Sequence, residues 1–420
     1  MTADTMLTST PGAAAAGPKS RRLSTSVVLI LIALGLAVLS LVRIITGADD
    51  LTSAGAVGAA LAAAVPIGLA GLGGLWSERA GVVNIGLEGM MILGTWGGAW
   101  GALQFGVWGG ILFGAICGAL GGLLHALATV TFNVDHIVSG VAITILSLGL
   151  ARFLASFTFA NMPGGGVTQS PNVPSLPSFS VPGVSALSSL ESKGWFLISD
   201  LAGILRGLLT NVSSLTIIAI VLVPVTFYLL WRTSFGLRLR SCGENPYAAE
   251  TLGVNVYRYK YYGVVASGAL AGLGGAFLSM VASNIYREGQ TAGRGYIGLA
   301  TMIFGNWRPG GLAAGSMLFG YTDALQLRRG SESVHALLLF IAVVLLAIAV
   351  FQFIRGGRTV AVVSLVLALL AAVWYFSSET IPVEFVQAMP YVITLVVLAL
   401  AAQRLRPPAA DGMPYRRGGG

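Results

Sequence analysis

Residues 77–91 read Ser77-Glu78-Arg79-Ala80-Gly81-Val82-Val83-Asn84-Ile85-Gly86-Leu87-Glu88-Gly89-Met90-Met91. Two Glu, an Arg and an Asn stand in apolar surroundings, and Gly81, Gly86 and Gly89 interrupt the run. A carboxylate exposed to lipid at bilayer depth costs roughly 3 kcal/mol or more, so Glu88 must face protein or water. Gly and Asn at such a place indicate a broken helix whose freed backbone lines a cavity. Two readings stay open: the wall of a translocation path, or an interhelical hydrogen-bond cluster with no substrate contact.

The surroundings are those of a membrane protein. Of 420 residues, 55% are hydrophobic and only 10% charged, against about 25% charged in a soluble domain. Mean hydropathy is +0.82, and 57 glycines suit closely packed membrane helices. The net charge of +8 gathers at the ends of apolar runs, not on a basic face with interleaved aromatics, which argues against nucleic acid. Two cysteines, Cys117 and Cys242, and three scattered histidines give no metal or redox spacing.

A spanning helix needs about 20 mostly apolar residues. The runs 25–46, 54–75, 86–104, 107–130, 136–158, 214–231, 260–283, 310–327, 335–354, 358–377 and 387–403 qualify as candidates, with 296–306 too short to cross alone. The first run is too long for a signal peptide and no small-residue cleavage site follows it. Residues 1–24 read as a disordered arm, 25–403 as the transmembrane domain and 404–420 as a basic, mobile tail. Residues 196–212 read as an interfacial helix after the Gly/Pro/Ser-rich loop 159–195.

Lys19, Arg21 and Arg22 place the first arm in the cytoplasm by the positive-inside rule. Counting spans, the loop 232–259 and the tail then also lie inside, and 159–212 lies outside. Arg328 and Arg329 are the exception, falling outside.

The first motif returns. Ala80-Gly81, Ile85-Gly86-Leu87, Met90-Met91, Gly94 and Trp96 match Ala292-Gly293, Ile297-Gly298-Leu299, Met302-Ile303, Gly305 and Trp307 with one gap. The helix count makes the copies enter from opposite sides, as an inverted-topology repeat does. The expected fold is therefore all-α: a polytopic bundle with an inverted pseudo-repeat and discontinuous helices. The second copy carries Arg294 and Tyr296 and ends in Asn306-Trp307-Arg308-Pro309-Gly310-Gly311. Here Trp307 reads as an interfacial anchor and Arg308 as a positive-inside residue.

A third motif lies in the longest internal loop. Asn245 is suited to cap a helix, Pro246 to open it and Gly253 to stop it. So short a helix is not stable alone. It must dock on a partner or on the protein's own helix ends. Small Ala248 and Ala249 permit close approach, and Glu244 is placed to pair with a basic group. No GxxxxGK[ST] phosphate loop, no nucleophile–base or metal spacing and no buried His/Asp/Glu relay appears. The chain is not expected to be an enzyme, and energy must come from another subunit or from a gradient through few groups. A stand-alone secondary transporter is the alternative.

The runs SERAGVVNIGLEGMMILGTW, GLRLRSCGENPYAAETLGVNV, GRGYIGLATMIFGNWRPGG and MPYVITLVVLAL resemble the permease subunits of bacterial nucleoside and simple-sugar ABC importers, in the broad family of ribose and branched-chain amino acid permeases. The resemblance covers residues 54–329 and about 382–417. Beside the candidate path wall of Asn84, Glu88, Thr144, Arg294, Tyr296 and Asn306, the resemblance implies a pseudo-symmetric helical core. It also implies an ATPase-coupling segment comprising Gly243, Glu244, Asn245, Pro246, Ala248, Ala249 and Gly253. The implied partners are a second homologous permease in a heterodimer, a cytoplasmic ATPase that alone binds ATP, and an extracytoplasmic substrate-binding lipoprotein. The setting is the lipid of the cell membrane, with both termini cytoplasmic. No cofactor is implied in this chain. Two departures stand out. Thr144 occupies a place where many relatives are expected to carry Asn, and residues 330–380 read as an inserted helix pair.

Overall fold

The computed structural model describes residues 25–382, 384–386, 388 and 405–418. The expected arm 1–24 and span 387–403 lie essentially outside the described residues. Thirteen helices follow one another among those described: α1 (Thr25–Thr46), α2 (Ala54–Arg79), α3 (Leu87–Ala126), α4 (His136–Phe159), α5 (Leu187–Glu191), α6 (Ile198–Leu209), α7 (Ser214–Arg232), α8 (Ser234–Glu244), α9 (Pro246–Thr251), α10 (Val256–Phe277), α11 (Arg294–Phe304), α12 (Pro309–Ile354) and α13 (Arg358–Ser377). Strand is confined, among these residues, to one antiparallel ribbon of β1 (Ser178–Phe179) and β2 (Val212–Ser213), with Ser178 opposite Ser213. Among the described residues, eight helices are long and apolar enough to cross a membrane. This is an all-α, multi-pass membrane protein.

Helices α2 and α10 are the most enclosed, while α1, residues 331–354 of α12 and α13 are the least. α3 breaks at Gly106, whose φ of 75° and ψ of 178° are not helical. Its two arms fold together there, Gly101 meeting Gly109 and Phe113, so the expected runs 86–104 and 107–130 are two helical arms that meet at Phe105 and Gly106. α10 packs along both arms. A Cβ on Gly272 would lie 2.3 Å from the Gly114 carbonyl, and one on Gly94 would lie 2.3 Å from that of Gly272. Only glycine permits backbones so close, and such contact is what drives helix association where lipid removes the hydrophobic incentive.

The expected spans 310–327 and 335–354 are one helix, α12, of 46 residues. Gly330-Ser331-Glu332-Ser333 resembles a loop, but without proline it stays helical, since one interior glycine costs only about 1 kcal/mol. At about 1.5 Å per residue α12 is some 69 Å long, twice a bilayer core of about 30 Å. The Arg328 anomaly has a partner: its guanidinium lies 3.8 Å from Asp50.

α6 is a two-faced helix within the segment 196–212. Ile198, Leu201 and Leu205 are exposed on one face, while Asp200, Gly203 and Gly207 are buried on the other. Asp200 takes the Arg43 guanidinium of α1 at 2.8 Å and the Thr52 hydroxyl at 2.6 Å.

Candidate functional site

The repeat copies meet inside the bundle. Leu87 and Leu299, equivalent positions, pack in one cluster with Met90 and Ala271. Met302, equivalent to Met90, lies beside Leu87 and Leu299 against α2 at Gly74. Each copy turns through a left-handed glycine, Gly81 at φ 81° and Gly293 at φ 78°.

Backbone freed between α2 and α3 must find partners away from water. Lys260 donates to the Gly81 carbonyl at 3.3 Å, and the Ser77 hydroxyl donates to that of Val82 at 2.6 Å. The Val83 N–H donates to His136 Nδ1 at 3.2 Å. His125 Nε2 lies 3.0 Å from the Val83 carbonyl and must donate. Its Nδ1 then accepts from Ser139, 2.9 Å away. His125 and His136 are thus clamps on the break, and Val83 stands 42 and 53 residues away from them in sequence, while His335 bonds the Tyr375 carbonyl instead.

Asn84 is fully buried. Its amide donates to Ser267 at 2.9 Å, and its Oδ1 has no hydrogen-bond partner among the described residues. Glu88 is spent on the second copy, accepting from Gly293 N–H at 2.9 Å and Gly295 N–H at 2.7 Å. Both bonds sit at the start of α11, where the helix dipole favours a carboxylate. Thr144 is buried, bonds back to Gly140 at 3.1 Å, and touches Gly89. Arg294 pairs with Asp323 of α12 at 3.1 Å, and Tyr296 is exposed. The structure therefore brings Thr144 and Arg294 to Glu88 through the neighbouring Gly89, Gly293 and Gly295, while Asn84 turns to Ser267 of α10. Asn306 belongs elsewhere, at the turn between α11 and α12.

That turn corrects the reading of Trp307. Asn306 and Trp307 both adopt left-handed φ, 53° and 52°, which swings the indole beneath the end of α2 instead of out to an interface. Trp307 is buried and donates to the Glu78 carboxylate. Its carbonyl accepts from Arg79 Nη2 at 2.8 Å. Arg79 also reaches Glu244 at 3.6 Å and lies over the Trp231 ring at 5.4 Å.

The third motif folds as its sequence specifies. Asn245 Oδ1 accepts from Ala248 N–H at 3.0 Å, and Pro246 opens α9. Gly253 at φ 80° closes it with two bonds, Gly253 N–H to Glu250 and Val254 N–H to Ala249, the paired pattern of a Schellman stop. Ala248 and Leu252 are exposed, Leu252 to 83%. Ala249 differs from expectation: it is buried with Cys242, Val256 and Tyr415, and so faces its own chain. Glu244 likewise pairs with Arg79 of this chain. Burial pushes the Cys242 thiol up to about 11.

The α8–α9 junction sits directly on the break. A Cβ on Gly243 would lie 2.4 Å from the Arg79 carbonyl. Against expectation, residues 405–418 are docked here. Ala410 N–H donates to the Gly243 carbonyl at 2.9 Å, and Asp411 hydrogen-bonds the Glu78 carboxyl. Burial, then the nearby Glu78, raise Asp411 to about 9, so the pair holds a proton well above the ordinary carboxylate range.

Residues 56–349 match the family described as branched-chain amino acid transport system / permease component. The chain is 35% identical to the nucleoside ABC transporter permease protein NupC of Lactococcus lactis, over 83% of this chain and 93% of that protein. It is 31% identical to the guanosine ABC transporter permease protein NupQ of Bacillus subtilis, over 86% and 96%. A putative glucose ABC transporter permease protein of Haloferax volcanii, TsgC13, is 35% identical over 67% and 79%. A second permease of each of the first two organisms, NupB and NupP, is also similar, at 24% and 23% identity. No solved structure matches. With a broken-helix core and a self-capped helix packed beneath it, this chain belongs to the branched-chain amino acid transport system permease family and is the permease component of an ABC importer.

Proposed function

We propose that the chain forms half of the membrane path of a nucleoside importer, opposite a second, homologous permease. A cytoplasmic ATPase docks on α9, and an external binding lipoprotein delivers substrate. One observation carries the coupling role. α9 is fully specified by its own caps, yet it presents Ala248 and Leu252 outward with none of the described residues over them. Six residues of helix do not hold a shape unless packed. One face is packed on Cys242, Val256 and Tyr415, and the other awaits a partner.

The nucleoside reading rests on relatives whose names print that substrate and whose lengths are almost wholly covered. Pairing with an unlike permease follows the pattern of those two organisms, where the chain matches one member of each pair better than the other. With the α9 face inside, residues 405–418 and the docking surface share the cytoplasmic side.

The test is uptake by vesicles holding all subunits. Unlabelled nucleosides should compete with labelled guanosine, and hexoses should not. Competition by glucose alone would move the substrate to the sugar class. Concentrative uptake by this chain alone, driven by a proton or sodium gradient, would replace the reading with a secondary transporter.

A further inference from the structure

The tail 404–420 is read from sequence as loose and basic, but its residues 405–418 are tied to the α11–α12 turn, the α8–α9 segment, the end of α2 and α10. Arg406 N–H donates to Asn306 Oδ1 at 2.8 Å, at the α11–α12 turn. Ala409 N–H donates to Glu244 Oε2 at 3.2 Å and Ala410 N–H to the Gly243 carbonyl at 2.9 Å, both at the head of α9. Asp411 joins Glu78 at the end of α2. Tyr415 is 4% exposed, its ring 5.3 Å from that of Tyr247 on α9 and 5.5 Å from that of Tyr257 on α10. Arg417 pairs with Glu250 near the end of α9 at 3.4 Å.

These places are not equivalent. Glu78 stands just before the break of the first repeat copy, and Asn306 in the turn that ends the second. Trp307 already bonds them through Glu78. Beside the Arg79–Glu244 pair, the contacts of Gly243 with Arg79 and Gly81, and the packing of Ala249 on α10, whose Lys260 holds Gly81, residues 405–418 connect α9 with both turns at once. The segment also walls a cleft of about 190 Å³ beside α9, between Glu250, Asn255, Tyr257 and Arg417.

We propose that residues 405–418 are a strap belonging to the coupling element: they clamp α9 to both helix breaks, so that displacement of α9 by the ATPase moves the two repeat copies together. This rests on α9 being the ATPase-docking helix. Energetic coupling is carried by an element that both sites bias, and the strap supplies one. A clamp on α9 that leaves its Ala248 face open affects transmission, not attachment.

The test uses the whole transporter in cells and in vesicles, with two variants. Deletion of 406–420 removes the strap. Ala410→Trp displaces it, because Ala410 is buried against Gly81 and Gly243. Both should keep the ATPase co-purifying. Both should lower uptake, and the stimulation of ATP hydrolysis by loaded binding protein, by roughly 3- to 30-fold. Wild-type uptake by the deletion overturns the strap, whatever Ala410→Trp does. If the deletion is not recovered from membranes, Ala410→Trp decides, and its wild-type stimulation overturns the proposal. Loss of ATPase co-purification in either variant also overturns it, since the segment would then serve attachment. Ala248→Trp separates the underlying reading: if it leaves co-purification intact, α9 is not the docking helix, irrespective of the strap.

Discussion

Gly295 donates its N–H to Glu88 at 2.7 Å, so the acidic residue of the first repeat copy caps the helix that opens the second. A Cβ on Gly295 would meet Glu88 Cα at 2.6 Å, and the backbones touch there. The two copies are thus joined at the point where each leaves helical geometry. A carboxylate in an apolar bundle is tolerated because both oxygens are bonded.

Glu88→Gln should be milder than Glu88→Leu. The amide keeps one acceptor oxygen and sets a donor against the other N–H, whereas Leu leaves both N–H groups bare. Each buried orphan costs about 1–3 kcal/mol. Thermal unfolding in detergent and uptake in cells should both rank wild type, Gln, Leu. Equal and near-wild-type behaviour of the two variants would mean that the Glu88–α11 contact is incidental.

Gly272→Ala should damage folding, because its Cβ would sit 2.3 Å from the Gly114 carbonyl and 2.9 Å from Gly118 Cα. Overpacking a tight interface costs about 1–3 kcal/mol or more. Gly149→Ala, with open space around it, is the control and should be neutral. The check is membrane abundance and melting temperature. Indifference to Gly272→Ala would contradict the close packing of α3 and α10.

Docking of residues 405–418 should weaken as pH rises. Asp411 stands at about 9 when docked, against roughly 3.9 for a free side chain. The docked state therefore holds the extra proton. Its contribution is complete below the free value and is lost as pH climbs through about 9. Glu78 and Arg79 from α2, Lys260 from α10 and Glu244 and Cys242 from α8 surround the site. A spin label at Met413→Cys, an exposed position, should gain mobility between pH 7 and 10. Asp411→Asn should flatten that response. A label equally mobile at both pH values in the wild type would contradict it.

Asp200→Ala should release α1. The carboxylate binds Arg43 and the hydroxyls of Ser40 and Thr52 while almost fully buried. Removing one member of a buried pair costs about 3–5 kcal/mol. Protease access to α1 should rise while α2–α4 stay protected. Unchanged access would mean that α1 is held by lipid-facing packing alone.

What the sequence made legible was local. α9 was readable end to end, since Asn245, Pro246 and Gly253 act within a few residues of one another. So was the break after Ala80, because Gly81 and Asn84 announce it. The hairpin at Gly106 showed as two apolar runs. Long-range pairings gave no such signal. Nothing near His125, His136 or Lys260 says that they bind residues 81–83. The docking of Asp411 on Glu78 bridges more than 300 positions, and composition alone made that segment look mobile. Trp307 was misread because aromatic residues at helix ends usually mark an interface, and only the consecutive left-handed turn redirects it. Ala249 shows the same limit: its smallness suits a partner and an internal contact equally, and burial decides.

The central claim is that α9 faces the cytoplasm and receives the ATPase through Ala248. The most direct measurement is labelling of Ala248→Cys, in a background with Cys117 and Cys242 replaced, by a membrane-impermeant maleimide. The account predicts no labelling in intact cells. It predicts rapid labelling in inside-out vesicles stripped of the ATPase, and protection when the ATPase is returned. Labelling from outside intact cells, or labelling that the ATPase does not slow, would contradict it.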